Sequence, residues 1–199
     1  MKEEAAPFWK LGASKQNVVV RITGIGTKNA EASLRSFLAG TAPGVVLTCG
    51  LAGGLNPDLV FGTVVFATGD ATLSRKIADS GARPAKFFCA TRIATTAAEK
   101  SELFLRTGAD AVEMESEVIQ RICQERGIPC ATIRVISDTA NEDLPLDFNQ
   151  LSKRNLSLHY GKLALAVAKS PGKIRALLRL QKQTRFAAER LVEVLAKVV

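Results

Sequence analysis

The feature that most constrains the fold lies between residues 111 and 143, where two apolar stretches flank an amphipathic one. Residues 116–126 carry Val118, Ile119 and Ile122 at the spacing of one helix face, with polar residues mostly on the other. Residues 131–136 are apolar apart from Arg134, which is typical of a strand that helices cover on both sides. The sequence therefore predicts an α/β fold with this strand at the centre of the sheet.

Two carboxylates follow the strands of this stretch. Glu115 comes after a short strand predicted to end at Glu113, and Asp138 follows residues 131–136. Ligands of open α/β sheets bind at the carboxyl ends of strands, so we expect the functional site here. Other readings stay open, because Asp138 could cap a turn in the segment SDTANED and Glu115 could favour the start of a helix.

The rest of the chain continues the alternation of strands and helices, without internal repeats or low-complexity segments. We predict a single domain over residues 1–199, with a mixed central β-sheet flanked by helices and a basic helix over residues 173–199. Further strands are predicted at 17–23, 44–49, 62–68 and 86–90, with a glycine-rich exit at 50–55, and further helices at 1–11, 29–40, 94–107 and 151–169.

The formal net charge of +8 is concentrated at the C-terminal end of the chain. Seven basic and two acidic residues between 173 and 197 supply +5 of it. Phe186 is the only aromatic residue there, and no helix-turn-helix or RNA-recognition signature accompanies the charge. We therefore interpret this segment as a solvated helix face and expect no nucleic-acid partner.

Composition also argues against a membrane span and against a metal site. No apolar run approaches the roughly 20 residues of a membrane-spanning helix, and the N-terminus lacks the apolar segment of a signal peptide. We expect a cytoplasmic protein whose four cysteines are reduced, because none has CxxC spacing. The single histidine, His159, lies in a helical run and is interpreted as structural, so we expect no metal cofactor.

Four motifs, taken in order, resemble the purine nucleoside phosphorylase/nucleosidase superfamily. They are GIGTKNA at 24–30, GLAGGL at 50–55, VEMES at 112–116 and IRVISD at 133–138. Each glycine cluster alone is a weak signal, but four motifs at the family's spacing are a strong one. The resemblance covers most of residues 17–150 and is closest to the 5′-methylthioadenosine/S-adenosylhomocysteine nucleosidases and their relatives, including hopanoid-associated nucleosidases. It implies hydrolysis of an adenine nucleoside modified at C5′.

The resemblance also implies roles for individual residues. Asp138 would protonate the leaving purine, and partial burial would favour its protonated form. Glu115 would bind the ribose hydroxyls. The remaining expected substrate contacts are Met114 against the sugar, the backbone of Ile93 at the purine edge, Arg92 stacked on the purine or pointing to solvent, Phe148 lining the pocket of the 5′ substituent, and Gly26, Gly50 and Ser137 within the motifs.

The base that activates water is implied to be Glu4, because residues 1–5 resemble the family's Met-Glu-Glu-Glu-Val run. A charged helix turn is an equally weighted interpretation. The family has a central strand before this run, whereas the chain begins at the run itself. We expect either that the natural start lies upstream or that the protein lacks this first strand and Glu4 is misplaced.

The acceptor is expected to be water, because the phosphorylases' phosphate-binding Arg and Ser/Thr are replaced by Thr48 and Leu51. A phosphorylase with a rebuilt phosphate site and an inactive nucleoside-binding paralogue remain alternatives. No organic cofactor is implied. The family's active sites borrow residues from a neighbouring subunit, so we expect a homodimer, although residues 70–87 form a shorter segment than their family counterpart.

Overall fold

The computed structural model describes residues 7–9, 11, 15, 17–151 and 173–199, and the side chains of 150, 151 and 173 are left aside. Residues 7–9 and 11 are helical. The following elements are α1 (Thr27–Leu38), β1 (Val46–Gly54), β2 (Val64–Thr68), α2 (Ala71–Asp79), β3 (Arg83–Pro84), β4 (Phe87–Cys89), α3 (Ala97–Thr107), β5 (Ala111–Glu113), α4 (Ser116–Glu125), β6 (Cys130–Asp138), α5 (Phe148–Leu151) and α6 (Lys173–Val198).

The six strands form one mixed sheet in the order β3-β2-β6-β1-β5-β4, which confirms the predicted fold class. Strand β6 pairs in parallel with β1 and antiparallel with β2, so the apolar stretch at 131–136 does lie at the centre. Only Ala85 and Lys86 separate β3 from β4, although these strands stand at opposite ends of the order. The sheet must therefore curl to bring its two edges together.

Helices cover the sheet on two sides, as the continuous apolar character of β6 requires. Ala131, Ile133 and Val135 pack against the C-terminal half of α6, through residues that include Leu191 and Leu195. On the opposite face, α4 packs against α1, and Gln120 of α4 donates a hydrogen bond to Thr132 of β6. Thr132 therefore faces α4, and Arg134, two positions on, points to the same side of the strand.

The strand predicted at 17–23 is wrong, because these residues form no strand. Val19 and Ile22 are 67% and 54% exposed. Within the described part of the chain, β1 pairs with β5 only at Gly53 and Gly54, and no strand lies beside residues 46–51 on that side. A strand is stable only when it pairs with a neighbour, so apolar composition alone did not produce one here.

Two further assignments differ from the prediction, and one lies outside the described residues. The glycine-rich stretch from Gly50 onward was expected to leave the sheet, but β1 continues through Gly54 because it pairs with β6 as far as Asp138. Helix α2 was not predicted; the side chain of Asp70 caps it by accepting a hydrogen bond from the Leu73 amide. The predicted helix at 151–169 and His159 lie outside the described residues, apart from Leu151 in α5.

Candidate active site

Asp138 ends the central strand and lies against β1. Gly53 pairs with Asp138, and a Cβ added to Gly53 would lie 3.2 Å from Asp138 Oδ2, so a side chain there would crowd the carboxylate. Ser137 Oγ donates a 2.7 Å hydrogen bond to Asp138 Oδ1. The carboxylate that the sequence singled out is thus buried, and its neighbour Ser137 orients it.

A lysine that the sequence analysis did not select completes this group. Lys100 of α3 is 0% exposed, and its Nζ lies 2.5 Å from Asp138 Oδ2. Nζ also donates to the carbonyl oxygens of Thr139 and Glu142, each at 2.8 Å. One signal for this contact was present in the sequence: Lys100 shares the helix face of Leu103 and Phe104, where a charged residue is unexpected.

Glu115 and Gly26, two of the expected substrate contacts, lie together although 89 positions separate them. The Gly26 amide donates a 2.7 Å hydrogen bond to Glu115 Oε1. Gly26 has φ +88°, a left-handed conformation that glycine adopts without steric cost. Burial, reinforced by the charge of Glu113, raises the pKa of Glu115 against the opposing effects of the Gly26 amide and Arg134. The adjacent Met114 is buried.

Arg134 links Glu115 to the rest of the sheet and is a second residue that the sequence analysis passed over. Its Nη2 donates to Glu113 Oε2 at 2.7 Å and to Thr48 Oγ1 at 3.1 Å, and lies 3.6 Å from Glu115 Oε2. Burial disfavours the charge of Glu113, but Arg134 and the hydrogen bonds from Ser116 and the Glu115 amide together lower the pKa of Glu113.

The guanidinium of Arg134 still has donors to spare. Its side chain is 2% exposed, yet within the described residues Nε and Nη1 have no hydrogen-bond partner. A Cβ added to Gly50 would lie 3.7 Å from Nη1, so the glycine keeps side-chain bulk away from these donors. A buried N–H group without a partner is costly, and a small acceptor would relieve that cost.

The residues expected at the purine make other contacts in this structure. The Ile93 amide donates to Asn149 Oδ1 and the Ile93 carbonyl accepts from Asn149 Nδ2, both at 2.9 Å. Arg92 is 63% exposed on its side chain and pairs with Glu99 at 2.6 Å. Which of the two readings of Arg92 holds stays a prediction. Phe148 begins α5, next to Asn149.

The described residues include neither the predicted water base nor a group of side chains placed to hold a metal ion. Glu4 lies outside them. No group of three or more His, Cys, Asp or Glu residues in the described ranges is placed to hold a metal ion. A cavity of about 830 Å³ reaches Ser116 and Glu117 but is not lined by Asp138 or Glu115. The candidate site is therefore defined by side-chain geometry at the ends of β5 and β6.

Comparisons with known proteins point to one group of enzymes. The model of the family described as "Phosphorylase superfamily" matches residues 85–168. The 5′-methylthioadenosine/S-adenosylhomocysteine nucleosidase of Shewanella halifaxensis is 27% identical over 171 residues, which are 68% of this chain and 74% of the relative. The nucleosidase of the same name from Anoxybacillus flavithermus is 28% identical over 183 residues, 74% of this chain and 78% of the relative.

Solved structures share the fold across nearly the whole chain. The nucleosidase of Campylobacter jejuni superposes with a TM-score of 0.71 at 16% identity, and covers 100% of this chain and 94% of its own. The nucleosidase of Neisseria meningitidis, in complex with methylthio-immucillin-A, has a TM-score of 0.70 at 18% identity. The match covers 100% of this chain and 94% of that protein. The futalosine hydrolase of Helicobacter pylori superposes with a TM-score of 0.66 at 17% identity. The match covers 98% of this chain and 94% of that protein.

Proposed function

We propose that this chain, a member of the phosphorylase superfamily by its sequence match and its fold, hydrolyses the N-glycosidic bond of an adenine nucleoside modified at C5′. Methylthioadenosine and adenosylhomocysteine are the substrates that its curated relatives' names point to. The resemblance noted in the sequence is confirmed by these matches. The following roles of individual residues belong to the proposal.

The spacing of the strands that carry the two carboxylates supports the proposal. Gly53 of β1 pairs with Val112 of β5 on one side and with Asp138 of β6 on the other. Adjacent strands lie about 4.8 Å apart, so Asp138 stands roughly 10 Å from the strand that leads to Glu115. A nucleoside fits this span, with its base at Asp138 and its ribose at Glu115 and Met114. Ile93, Phe148 and Ser137 belong to the same proposed set.

The charge around Arg134 supports hydrolysis rather than phosphorolysis. One guanidinium faces two carboxyl groups, Glu113 at 2.7 Å and Glu115 at 3.6 Å, so the cluster has no net positive charge. A phosphate dianion would therefore find no excess of positive charge to bind it. Water is neutral; it can accept a hydrogen bond from Nη1 or Nε of Arg134 and donate one to Glu115.

The reaction then proceeds by displacement at C1′. The oxygen of water bonds to C1′ as the C1′–N9 bond breaks, and the bonding electron pair leaves with the purine. A proton from the Asp138 side of the site neutralises the departing base, and the proton lost by water passes to a base. Glu4 remains the predicted base, and Arg92, Gly26 and Gly50 remain predicted neighbours of the substrate.

A nucleoside-binding chain without turnover is the second candidate, and one observation favours it. Asn149 holds both backbone groups of Ile93, the groups expected at the purine edge. If that contact persisted, a nucleoside would bind without reaching the geometry for cleavage. The phosphorylase alternative is the weaker one, because the charge of the Arg134 cluster opposes it.

Incubation of the full 199-residue chain with methylthioadenosine, with and without phosphate, separates these functions. We expect free adenine to form without phosphate. Adenine that forms only with phosphate would identify a phosphorylase, and binding without turnover would identify the second candidate. Calorimetry on the same samples measures the binding.

Assembly and location belong to the same proposal. We expect a homodimer in the cytoplasm, acting as one domain over residues 1–199. The free cysteines Cys49, Cys89, Cys123 and Cys130 agree with a reducing compartment. No helix in the described part is long and apolar enough to cross a bilayer. Light scattering at micromolar concentration tests the dimer, and a monomer would contradict it.

A further inference from the structure

Lys100 is a charged side chain that the proposed reaction has not yet used. It is 0% exposed, and a buried ammonium is retained only where partners replace its hydration. Its three N–H donors meet three acceptors: Asp138 Oδ2 at 2.5 Å and the carbonyls of Thr139 and Glu142 at 2.8 Å. The ammonium is thus fully satisfied, and Asp138 is its only charged partner among the described residues.

This pairing places an ammonium group directly against the acid of the proposed reaction. Nζ of Lys100 lies 2.5 Å from Asp138 Oδ2, and Ser137 Oγ donates to Oδ1. Both oxygens of Asp138 are therefore engaged, and Oδ2 has a direct path for proton transfer from Lys100. A departing adenine needs a proton, and Lys100 is a proton donor in contact with Asp138.

We propose that Lys100 supplies, through Asp138, the proton that the leaving base takes up; the inference rests on the proposed hydrolase function. As the C1′–N9 bond breaks, an Nζ–H proton of Lys100 passes to the carboxylate of Asp138, and a carboxyl proton of Asp138 passes to a ring nitrogen of the base. Lys100 becomes neutral and regains a proton from water after the base departs. It acts only through Asp138 and does not touch the base.

A purely structural role is the competing explanation, because Lys100 also holds the turn at residues 139–142 through two carbonyl groups. The two roles differ in their dependence on the leaving group. Adenine leaves slowly without a proton, whereas p-nitrophenolate leaves without one. A disturbed turn slows both reactions, and loss of the proton supply slows only the first.

The test compares methylthioadenosine with p-nitrophenyl 5-methylthio-β-D-ribofuranoside as substrates of the 199-residue chain. Lys100→Met should lower kcat for methylthioadenosine by roughly 10²–10⁴ and leave the nitrophenyl substrate within about threefold. Asp138→Asn should show the same selectivity, and the double variant should be no slower than the slower single one, because the two residues act as a unit. Lys86→Met is the matched control, since Lys86 donates to the Thr107 carbonyl at an exposed site.

Lys100→Arg distinguishes proton supply from positioning. Arginine keeps the positive charge but does not release its proton, so it should retain the nitrophenyl activity without restoring methylthioadenosine turnover. Equal loss of both activities in Lys100→Met would overturn the proposal, as would a kcat for methylthioadenosine restored by Lys100→Arg. A wild-type chain inactive on both substrates would refute the proposed function itself and the role of Lys100 with it. An active wild type with an unaffected Lys100→Met would refute only the latter.

Discussion

The two buried ionic clusters at the ends of β5 and β6 are built differently. Around Asp138 the charges balance, and every donor of Lys100 is used. Around Arg134 two carboxylates face one guanidinium, and Nε and Nη1 have no partner in the described part of the chain. A saturated cluster fixes a group in place, whereas a cluster with spare donors and no net positive charge is suited to receive a small neutral polar molecule.

The largest effect is expected from replacing Asp138, the acid of the saturated cluster. Asp138→Asn should lower kcat by roughly 10²–10⁴. It should also leave the buried Lys100 without a counter-charge, which costs about 3–5 kcal/mol of unfolding free energy. Steady-state kinetics and urea unfolding measure the two effects. Asp143→Asn is the control, because exposed Asp143 accepts a hydrogen bond from the Ala97 amide, which asparagine can also accept. Retention of most activity in Asp138→Asn removes Asp138 from the mechanism.

Replacing Arg134, the cation of the cluster with spare donors, tests how much its charge contributes to stability. Arg134→Met leaves Glu113 and Glu115 buried without their cation, so the free energy of unfolding should fall by about 3–5 kcal/mol. Arg121→Met removes an exposed pair with Glu125 and should cost about 0–1 kcal/mol. Urea unfolding of both variants measures the two losses in free energy of unfolding. Equal losses would show that burial does not distinguish the two arginines.

Glu115→Gln tests the role of Glu115 in the Arg134 cluster and keeps a side chain of nearly the same size. Replacing a charged acceptor by a neutral one should lower kcat/KM for a ribonucleoside by roughly 10- to 100-fold. A 2′,3′-dideoxy substrate, which lacks the hydroxyls that Glu115 would accept from, should be little affected. Glu117→Gln, on the exposed side of α4, is the control. If both substrates suffer equally, the ribose role of Glu115 is wrong.

The two glutamates beside Arg134 should respond to pH in opposite directions. The pKa of Glu113 is lowered, so its contribution to stability is present above pH 4.5 and is lost as pH falls through the folded-state pKa. The pKa of Glu115 is raised, so its contribution is present below pH 4.5 and is lost as pH rises through the folded-state pKa. Urea unfolding of wild type, Glu113→Gln and Glu115→Gln between pH 3 and pH 7 measures both slopes; slopes of one sign would contradict the assignment.

The smallest effect concerns Asn149, whose carboxamide bonds to both backbone groups of Ile93. An adenine edge offers the same pair of a donor and an acceptor, so the side chain and the base compete. Asn149→Ala should lower KM roughly threefold to tenfold, as expected for two net hydrogen bonds of modest strength. Asn141→Ala, at an exposed position of the loop that leads to α5, is the control. An increased KM would mean that Asn149 helps to bind the base.

The sequence alone was sufficient for the central strand and for the positions of Glu115 and Asp138. Apolar runs and helical spacing are local properties, and a buried strand followed by a polar residue places that residue at the end of the sheet. The same reasoning failed at residues 17–23, where the apolar pattern is present but no described strand lies beside them. The site around Glu4 stays a prediction.

Only the tertiary structure decided which charges meet. Lys100 and Asp138 are 38 positions apart, and Arg134 reaches Thr48 across 86. These contacts depend on how α3 seats against the loop after β6 and on the register of β6 against β1. Sequence could show that Lys100 and Arg134 stand among apolar neighbours, where a charge needs a partner. It could not name the partner, because the energy of an ion pair depends on distances that local patterns do not encode.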